Sequence, residues 1–555
     1  MDDSFSNNNL EDFVIKDKKF RDNHKKRIVK KILIIFSILI IIAAIIVAVL
    51  LILAINYGKI ICVYQTFNEN ETIQLINIYE DDDENKDDIQ FFVIIGDKEF
   101  KQEKTHTFEH PGNHTVTFVF KNKLTSLANL FKENDYLIEA NFSLLEAEEI
   151  TSLQRTFFQC KNLKKVIFNF TESNKIINMN NLFNNCPSLE YVLFNFSTEQ
   201  VFDMRGMFEF CTSLKSIDLS EFNTKNLQYM DFMFNGCENL TFIDISSFNL
   251  ESVEDMSYAF QTCSNLLEIK FPKSETINLK YMRGLFKDLF LITHIDLDFL
   301  RTDKVIEMSE LFRYCKKVKA LNVSKFKTRH IRDMERLFLF CNSLTSIDLS
   351  NFDFYNIISL DSFFKGCNSL KAIDISHSGA PRVQSMSEMF KECLQIESIK
   401  LPKQLYGVSD ITATFHSCRK LVYVDLTNFN ENEDLLYADF LFYNCFSLKS
   451  VSFNGVNTRE MQTTENMFMN CYNLEYVDLG NFTTRNIVNR IGMFNNCYSL
   501  KILNISKLKT DKVKRNSGIF FNVTKNFLRY YDKNDNPQIE QLLVENNILN
   551  KTDFY

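Results

Sequence analysis

The hydrophobic residues of this chain follow a pattern that repeats about every 26 positions. Each repeat has the form Phe-x-x-Cys-x-x-Leu-x-x-Ile-Asp-Leu-Ser-x-Phe, and its spacing departs from 26 only in two steps of 25 and one of 27. The first residue of the repeat is Phe131, Phe157, Phe183, Phe208, Phe234, Phe260, Phe286, Phe312, Phe338, Phe364, Phe390, Phe415, Phe442, Phe468, Phe494 and Phe520. Self-similarity at a period of this size predicts a solenoid in which each repeat forms one coil.

Within a repeat, two local patterns predict two kinds of segment. From Ile217 to Ser220 apolar and polar residues alternate, which predicts a short half-buried strand. From Met230 to Phe234 the apolar spacing is three and four, which predicts a helical or 3₁₀ turn on the opposite side of the coil. No single coil buries its own apolar side, so the coils must stack, with equivalent residues about 4.8 Å apart. The phenylalanines are then expected to form one continuous buried column.

The segment before the repeats predicts a membrane anchor. Residues 32–55 carry no charge, and a run of that length spans a bilayer with some tilt. A cleaved signal peptide would have a shorter apolar region and a small-residue cleavage site. Basic residues between Lys16 and Lys31 precede the run, so the positive-inside rule places the N-terminus in the cytoplasm and the repeats outside the cell or in a lumen.

Between the anchor and the repeats, three segments rich in β-branched and aromatic residues predict a small β-domain. They are Thr72–Tyr79, Ile89–Ile95 and Thr115–Phe120. This domain is expected to cover the apolar end of the first coil. The predicted order along the chain is a cytoplasmic basic tail at 1–31, a transmembrane signal-anchor helix at 32–55, a membrane-proximal β-domain at 56–124, a solenoid of about 16 coils at 125–525 and a C-terminal cap at 526–555.

Two groups of residues have compositions that could suit a metal site. His106, His110 and His114 are spaced by four, but Pro111-Gly112 and the strand-forming residues that follow favour a strand, a turn and a strand over a helix that would align them. Asp81-Asp-Asp83 is similar to the acidic metal motif of glycosyltransferases, but no nucleotide-binding α/β domain surrounds it. A solvated acidic loop from Glu80 to Asp88 is the favoured interpretation.

Other catalytic and binding signatures are missing from the sequence. An EF-hand fails because Lys86 and Phe92 occupy the positions that need Gly and Glu. The chain has no phosphate-cradling glycine loop and no nucleophile elbow. Its net charge of −8 gives no basic field for nucleic acid. The prediction is therefore no enzyme, no cofactor, no metal and no nucleic-acid partner.

Cysteine stands three residues after the phenylalanine in 13 of the 16 repeats, the exceptions being Asn134, Leu289 and Val523. In an oxidising compartment such cysteines pair, and stacked coils place their Cα atoms at a suitable distance. In-register side chains point in parallel, however, which suits the S–S torsion poorly. A ladder of buried thiols is favoured, and zinc is disfavoured because the ligands lie along a line rather than converge.

Sequons for N-glycosylation are frequent, although an Asn-rich chain contains many by chance. The possible glycosylation sites are Asn70, Asn113, Asn141, Asn169, Asn195, Asn239, Asn322, Asn481, Asn504, Asn522 and Asn550.

The repeat resembles that of the BspA-like leucine-rich-repeat surface proteins. The segments Met207–Thr224, Met233–Leu250 and Met467–Thr484 carry the resemblance, which covers roughly residues 125–525. It implies an α/β repeat solenoid that is leucine-rich-repeat-like with short parallel strands, located at a cell surface, with adhesion or binding to matrix and host proteins. Arg490 and Asn516 replace the usual Met in the last coils, which departs from the family pattern.

The sequence is compatible with three functions. The first is a membrane-anchored surface protein for adhesion or protein recognition, with a protein or extracellular-matrix ligand. The second is a structural coat or spacer protein, and the third is a lumenal enzyme. Irregular outward side chains favour the first, because exposed aromatic residues beside charge suit a protein interface. The candidate partner-binding residues are Tyr191, Phe242, Tyr423, Asp425, Tyr476 and Asp478.

Overall fold

A computed structural model gives the fold of the chain. It describes residues 30, 37–42, 58–77, 89–170, 173–429, 432, 435–480, 482, 486–505, 515, 517–523 and the backbone of 528–530. Most of the predicted tail at 1–31, most of the predicted span at 32–55, the acidic loop from Glu80, most of the predicted cap at 526–555 and the sequons at Asn481 and Asn550 lie outside these residues.

Short parallel strands form one wall of a solenoid, as predicted. The described strands are β1 (Gly58–Thr66), β2 (Glu71–Gln74), β3 (Phe91–Ile95), β4 (Lys98–Lys101), β5 (Thr105–Phe108), β6 (Gly112–Phe120), β7 (Leu137–Leu145), β8 (Lys165–Asn169), β9 (Tyr191–Asn195), β10 (Phe242–Asp244), β11 (Glu268–Lys270), β12 (Ala372–Asp374), β13 (Ser398–Lys400), β14 (Tyr423–Asp425), β15 (Ser450–Ser452), β16 (Tyr476–Asp478), β17 (Ile502–Asn504) and β18 (Leu528–Tyr530). Strands β10 to β17 have three residues each. In each of them the central residue is buried and its two neighbours face outward.

The opposite wall of the described coils is built from stacked turns, where the sequence predicted a helical or 3₁₀ turn. Alternate backbone N–H groups donate in two directions. Those of Phe312 and Tyr314 donate to Leu337 and Leu339 of the next coil at 3.0 and 2.7 Å, whereas the N–H of Cys315 donates back to Phe312 at 3.1 Å. A helix would keep all of these bonds within one segment. Here every second bond joins two coils, and the wall has the connectivity of a sheet made of turns.

These turns require left-handed backbone angles at two residues of each coil. One residue lies two positions before the repeated phenylalanine, and the other lies two positions after it. Asn and Gly recur there because both tolerate this conformation, as at Asn470, Asn496 and Gly236, where φ is 64°, 61° and 74°. At Gly236 a second reason applies, since a Cβ would lie 2.5 Å from the Phe210 ring of the preceding coil. Apolar spacing of three and four is thus compatible with a turn wall as well as with a helix.

The phenylalanine column is confirmed as the centre of the core. From Phe131 to Phe520, all sixteen rings stack in one series, with neighbouring centroids 5.2–6.2 Å apart and ring planes within 16° of parallel. This spacing is that of offset-stacked aromatic pairs. Every ring of the column is buried. One continuous line of rings therefore runs through the core, and each coil contributes one ring to it.

The repeat cysteines are free buried thiols, as predicted. Each thiol donates to the backbone carbonyl oxygen of the repeated phenylalanine one coil earlier. The thirteen S···O distances are 2.9–3.2 Å. Burial raises the pKa of these groups, that of Cys263 to about 12. Cysteine suits the position because it is small, apolar and still a weak donor.

We expect the thiol ladder to be chemically silent until the chain unfolds. Alkylation of the native chain should be slow at the 13 repeat cysteines, because each is buried and protonated. Denaturation without reductant should then expose them to labelling, which mass spectrometry can count. If most react only after reductant is added, the cysteines are paired and the ladder is wrong.

The β-domain at the N-terminal end continues directly into the solenoid. One sheet has the order β4-β3-β6-β1-β7-β8-β9, in which β7 pairs antiparallel with β1 and parallel with β8. Strand β1 was not predicted, because its apolar residues follow closely on the apolar run of the predicted anchor. The small antiparallel pair β2-β5 completes the domain.

The first coil is closed by specific contacts with this domain. Phe118 of β6 lies 6.0 Å from Phe131, so it extends the aromatic column by one ring. Asn134, which replaces the cysteine of this coil, donates to the backbone oxygens of Gln74 and Leu75 at 3.0 and 3.4 Å. The departure at Asn134 is therefore a capping contact, because there is no earlier coil whose carbonyl a cysteine could reach.

Variation in repeat length falls in the segment after the strand. The bridges of the turn wall keep the spacing of the phenylalanines, from Ser126 to Arg515. The coil with one extra residue contains the 3₁₀ helix Thr427–Phe429 in this segment.

Among the described residues, 37–42 are helical, and no described helix has the length and apolar composition needed to cross a bilayer.

Candidate interface on the strand wall

The strand wall presents the aromatic residues that the sequence predicts. Tyr191, Phe242, Tyr423 and Tyr476 occupy the same position of their coils and are exposed by 49, 37, 48 and 42%. Each immediately precedes a buried residue of its strand, so alternation turns the aromatic ring outward. Their outward orientation agrees with the prediction, whereas their role in binding stays a prediction.

The recurring aspartate on this wall has a structural role that the sequence analysis missed. Asp425 Oδ1 accepts a hydrogen bond from the N–H of Thr427 at 2.9 Å, and Asp478 Oδ1 accepts one from Gly480 at 2.8 Å. Equivalent bonds recur in other coils, as from Ser220 to Asp218 at 3.0 Å. These are Asx turns, which guide the chain out of the strand. One carboxylate oxygen is thereby used for the turn, and the second faces the surface.

Two of the predicted tyrosines flank a cleft. Tyr423 and Tyr476 lie two coils apart, and the coil between them places Ser450 in register with both. Because Ser450 and Ser452 are short, the wall sinks between the two rings and leaves a cleft of about 260 Å³. Asp478 also lines this cleft, and the Tyr476 hydroxyl donates to its Oδ2 at 3.3 Å.

The sequence predicted the two tyrosines that flank this cleft, but it did not single out Ser450 and Ser452, which form its floor. The signal for the floor was present, since the coil of Phe442 has serine at both outward strand positions where its neighbours have tyrosine and aspartate. A search for exposed aromatic residues alone passes over serine. Asp425 shares a strand with Tyr423 but does not line the cleft.

The other predicted aromatic residues lie apart from the cleft. Tyr191 is in β9, where it is in register with Lys165 of β8. Phe242 is in β10, and the ammonium group of Lys270 lies 4.9 Å from its ring centroid. The six candidate residues therefore do not form one site: Tyr423, Tyr476 and Asp478 are brought together, and Tyr191 and Phe242 are not.

A larger cavity of about 830 Å³ lies beside the first coils, after the strands. Three of its charged lining residues are already paired within the chain: Lys175 binds Glu149 at 2.5 Å, and Glu148 binds Lys123 at 2.9 Å. It holds no exposed aromatic side chain of the kind that anchors protein interfaces. The cleft between the two tyrosines is the better candidate site.

The histidines of the β-domain lie on a strand, a turn and a strand, as predicted. His106 is in β5 and His114 in β6, and both rings contact Phe108, with centroids 4.7 and 4.0 Å away. Burial lowers the pKa of His114. No group of three or more potential metal ligands is found among the described residues.

A buried carboxylate holds three cations on the turn wall of the central coils. The Glu310 side chain is 7% exposed and lies 2.8 Å from Lys287, 2.8 Å from Arg313 and 3.2 Å from Arg283. Burial acts to raise the pKa of the Glu310 carboxyl, but the hydrogen bonds and charges of these cations outweigh it and lower the pKa to about 2. This network joins neighbouring coils outside the aromatic core.

Two sequence families match the repeat region. Residues 151–271 and 280–404 match the family described as Mycoplasma protein of unknown function, DUF285. Residues 384–526 match the family described as BspA type Leucine rich repeat region, in 6 copies. No curated protein matches the chain.

Similar solved structures include several repeat proteins of low sequence identity. A leucine rich cell surface protein from Faecalibacterium prausnitzii is 14% identical, with 64% of this chain and 88% of that chain covered and a TM-score of 0.25. A leucine-rich repeat protein from Eubacterium ventriosum is 16% identical, covering 56% and 78%, with a TM-score of 0.21. The Drosophila Toll–Spatzle complex is 15% identical, covering 65% of this chain and 50% of that chain, with a TM-score of 0.21. These TM-scores are too low to establish the fold, which is shown instead by the strand pairing and inter-coil hydrogen bonds of this chain.

Proposed function

We propose that this chain is a membrane-anchored surface protein for adhesion or protein recognition, of the BspA-like leucine-rich-repeat kind whose family model matches residues 384–526. The solenoid presents its strand wall to a protein or extracellular-matrix ligand, and the ligand is held at the cleft between Tyr423 and Tyr476. The observation that carries the proposal is the cleft itself. Two half-exposed tyrosines stand over a serine floor with a carboxylate at the side.

The chemistry of the cleft supports recognition of a side chain. Tyrosine is enriched at the centre of protein interfaces because a rigid ring buries a large apolar area and keeps a polar end. The two rings are held by the register of three adjacent strands, so little ordering is needed when a ligand binds.

Replacing both tyrosines tests this proposal. Tyr423→Ala with Tyr476→Ala should reduce adhesion of the full-length chain to a basement-membrane matrix by more than about tenfold, since a truncated interface anchor typically costs more than 1 kcal/mol. Surface plasmon resonance on immobilised matrix measures the effect, with albumin as the blank surface. Circular dichroism should be unchanged, because both side chains lie outside the core.

Tyr191→Ala is the matched control, because Tyr191 has the same position in its coil and similar exposure but does not line the cleft between Tyr423 and Tyr476. It should adhere like the unmodified chain. If the folded double variant adheres fully, the site lies elsewhere and the β-domain becomes the next candidate. If the unmodified chain adheres to no matrix, a structural spacer is favoured, which fits the small outward residues Ala320, Ser346 and Ala372 of the central coils.

The membrane topology gives a separate prediction. Because basic residues precede the apolar run at 32–55, we expect the repeats on the outer side of the membrane. Protease added to intact cells should digest the repeats and leave an epitope tag at the N-terminus intact. Protection of the repeats would remove the claim of surface exposure.

A further inference from the structure

We propose that the aromatic–acid pairs Tyr423–Asp425 and Tyr476–Asp478 are receptors for the basic side chains of a partner protein. The inference rests on the proposed function, which it deepens by naming the ligand chemistry: a segment with two arginine or lysine residues, each of which stacks on one tyrosine and pairs with the aspartate beside it.

The chain contains one such receptor that is already filled. In β10, Phe242 and Asp244 occupy the same two positions as the tyrosine and aspartate of β14 and β16. The next coil supplies Lys270, in register with Asp244. Its ammonium group lies 4.9 Å from the Phe242 ring centroid and 3.5 Å from Asp244 Oδ2. An aromatic ring and a carboxylate spaced in this way thus hold one cation.

At the two tyrosine pairs the next coil supplies no cation. The residue in register with Asp425 is Ser452, and the residue in register with Asp478 is Asn504. Among the described residues, neither aspartate has an ion-pair partner, although both have the strand geometry of Asp244. Their carboxylates are exposed and keep the charge that Lys270 neutralises in β10.

A guanidinium group is held in the same manner elsewhere in the chain. Arg205 lies 5.1 Å from the Tyr229 ring centroid, and its Nε and Nη2 donate to Asp203 at 3.0 and 2.6 Å. Cation–π contact and a forked ion pair thus act together with tyrosine as the aromatic partner. The chain therefore contains one such arrangement with a lysine, Lys270, and one with an arginine, Arg205.

The spacing of the two receptors fixes the spacing of the ligand. They lie two coils apart, or about 10 Å. In a polyproline II segment, residues three positions apart lie on the same side and are separated by about 9 Å, close to this spacing. A partner segment of the form Arg-x-x-Arg would therefore place one side chain at each receptor, with the short serines of the intervening coil leaving room for its backbone.

The test uses the full-length chain in a nonionic detergent and two synthetic peptides. One is acetyl-Gly-Arg-Gly-Gly-Arg-Gly-amide, and the other has citrulline, a neutral isostere, in place of both arginines. Fluorescence anisotropy should show at least about tenfold weaker binding of the citrulline peptide, because the ion pair and the cation–π contact are both lost. Equal binding of the two peptides, or binding of neither, would overturn the inference.

A double substitution should place a lysine of this chain at each of the two receptors. Ser452→Lys with Asn504→Lys copies the arrangement of Lys270 and should reduce peptide binding at least about tenfold, while both tyrosines and both aspartates remain. Conversely, Lys270→Ser should open the Phe242 receptor and add a third binding site. Lys400→Ser is its matched control, because it frees Asp374 on a strand that has Ala372 in place of the aromatic residue; it should add none.

The outcomes separate this inference from the proposed function. Unchanged peptide affinity in the lysine-filled variant refutes the receptor assignment even if the chain adheres to matrix through its tyrosines. Loss of peptide binding in that variant supports the assignment whatever the matrix result. Full matrix adhesion by the folded Tyr423→Ala and Tyr476→Ala variant refutes the proposed site on its own.

Discussion

Phe312→Ala should lower the unfolding free energy by about 3–5 kcal/mol, the usual range for a buried phenylalanine. The ring is fully buried and stacks between Phe286 and Phe338 with centroids 5.7 and 5.6 Å away. Its removal leaves a cavity in the middle of the aromatic column. Because each coil contacts only its neighbours, the loss should be concentrated in the coils around position 312.

Hydrogen exchange measures this local loss. Amides of the turn wall near Phe312 should exchange faster in the variant, while those near Phe157 should change little. Tyr355→Ala is the control, since this large ring is 53% exposed and its removal should leave exchange unchanged. Unchanged exchange in the central coils of the Phe312 variant would contradict the role of the column.

Glu310→Gln should cost about 3 kcal/mol, at the lower end of the range for removing one partner of a buried ion pair. The substitution keeps the shape of the side chain but leaves Arg283, Lys287 and Arg313 close together without the shared carboxylate. Chemical denaturation at neutral pH measures the difference. Glu199→Gln, which breaks an exposed pair with Lys225, is the control and should cost no more than about 1 kcal/mol.

The effect of Glu310 should depend on pH in a defined direction. Its folded-state pKa of about 2 lies below the ordinary value of 4.5, so its contribution is present above about pH 4.5 and is lost as the pH falls toward 2. The difference in stability between Glu310 and its glutamine variant should therefore shrink over that interval. A difference that stays constant down to the lower limit would mean that the charge of Glu310 is not what stabilises the coils.

Much of the fold follows from the repeat, because periodicity states which residues face inward. Ile243 and its equivalents alternate with polar residues, so the strand wall and its orientation were predictable. The column of Phe312 was predictable for the same reason. In both cases one local pattern, repeated along the chain, has a single way to bury its apolar side.

The turn wall and the cleft were harder to predict because they depend on relations between coils. A segment such as Met230 to Phe234 has the same apolar spacing in a helix and in stacked turns, and only bonds to the next coil distinguish them. The aspartates were predicted as surface charge, whereas Asp425 and Asp478 also hold turns. Ser450 matters only because larger residues stand on both sides of it.

The turn wall also determines how the solenoid responds to tension. Its inter-coil hydrogen bonds run along the long axis, so a pull on a terminal coil loads the bonds of one junction before those of the next. A coil that detaches releases 26 residues, or about 90 Å of extended chain. A protein built in this way would lengthen in even steps under load, and each step would dissipate mechanical work while the remaining coils stay folded.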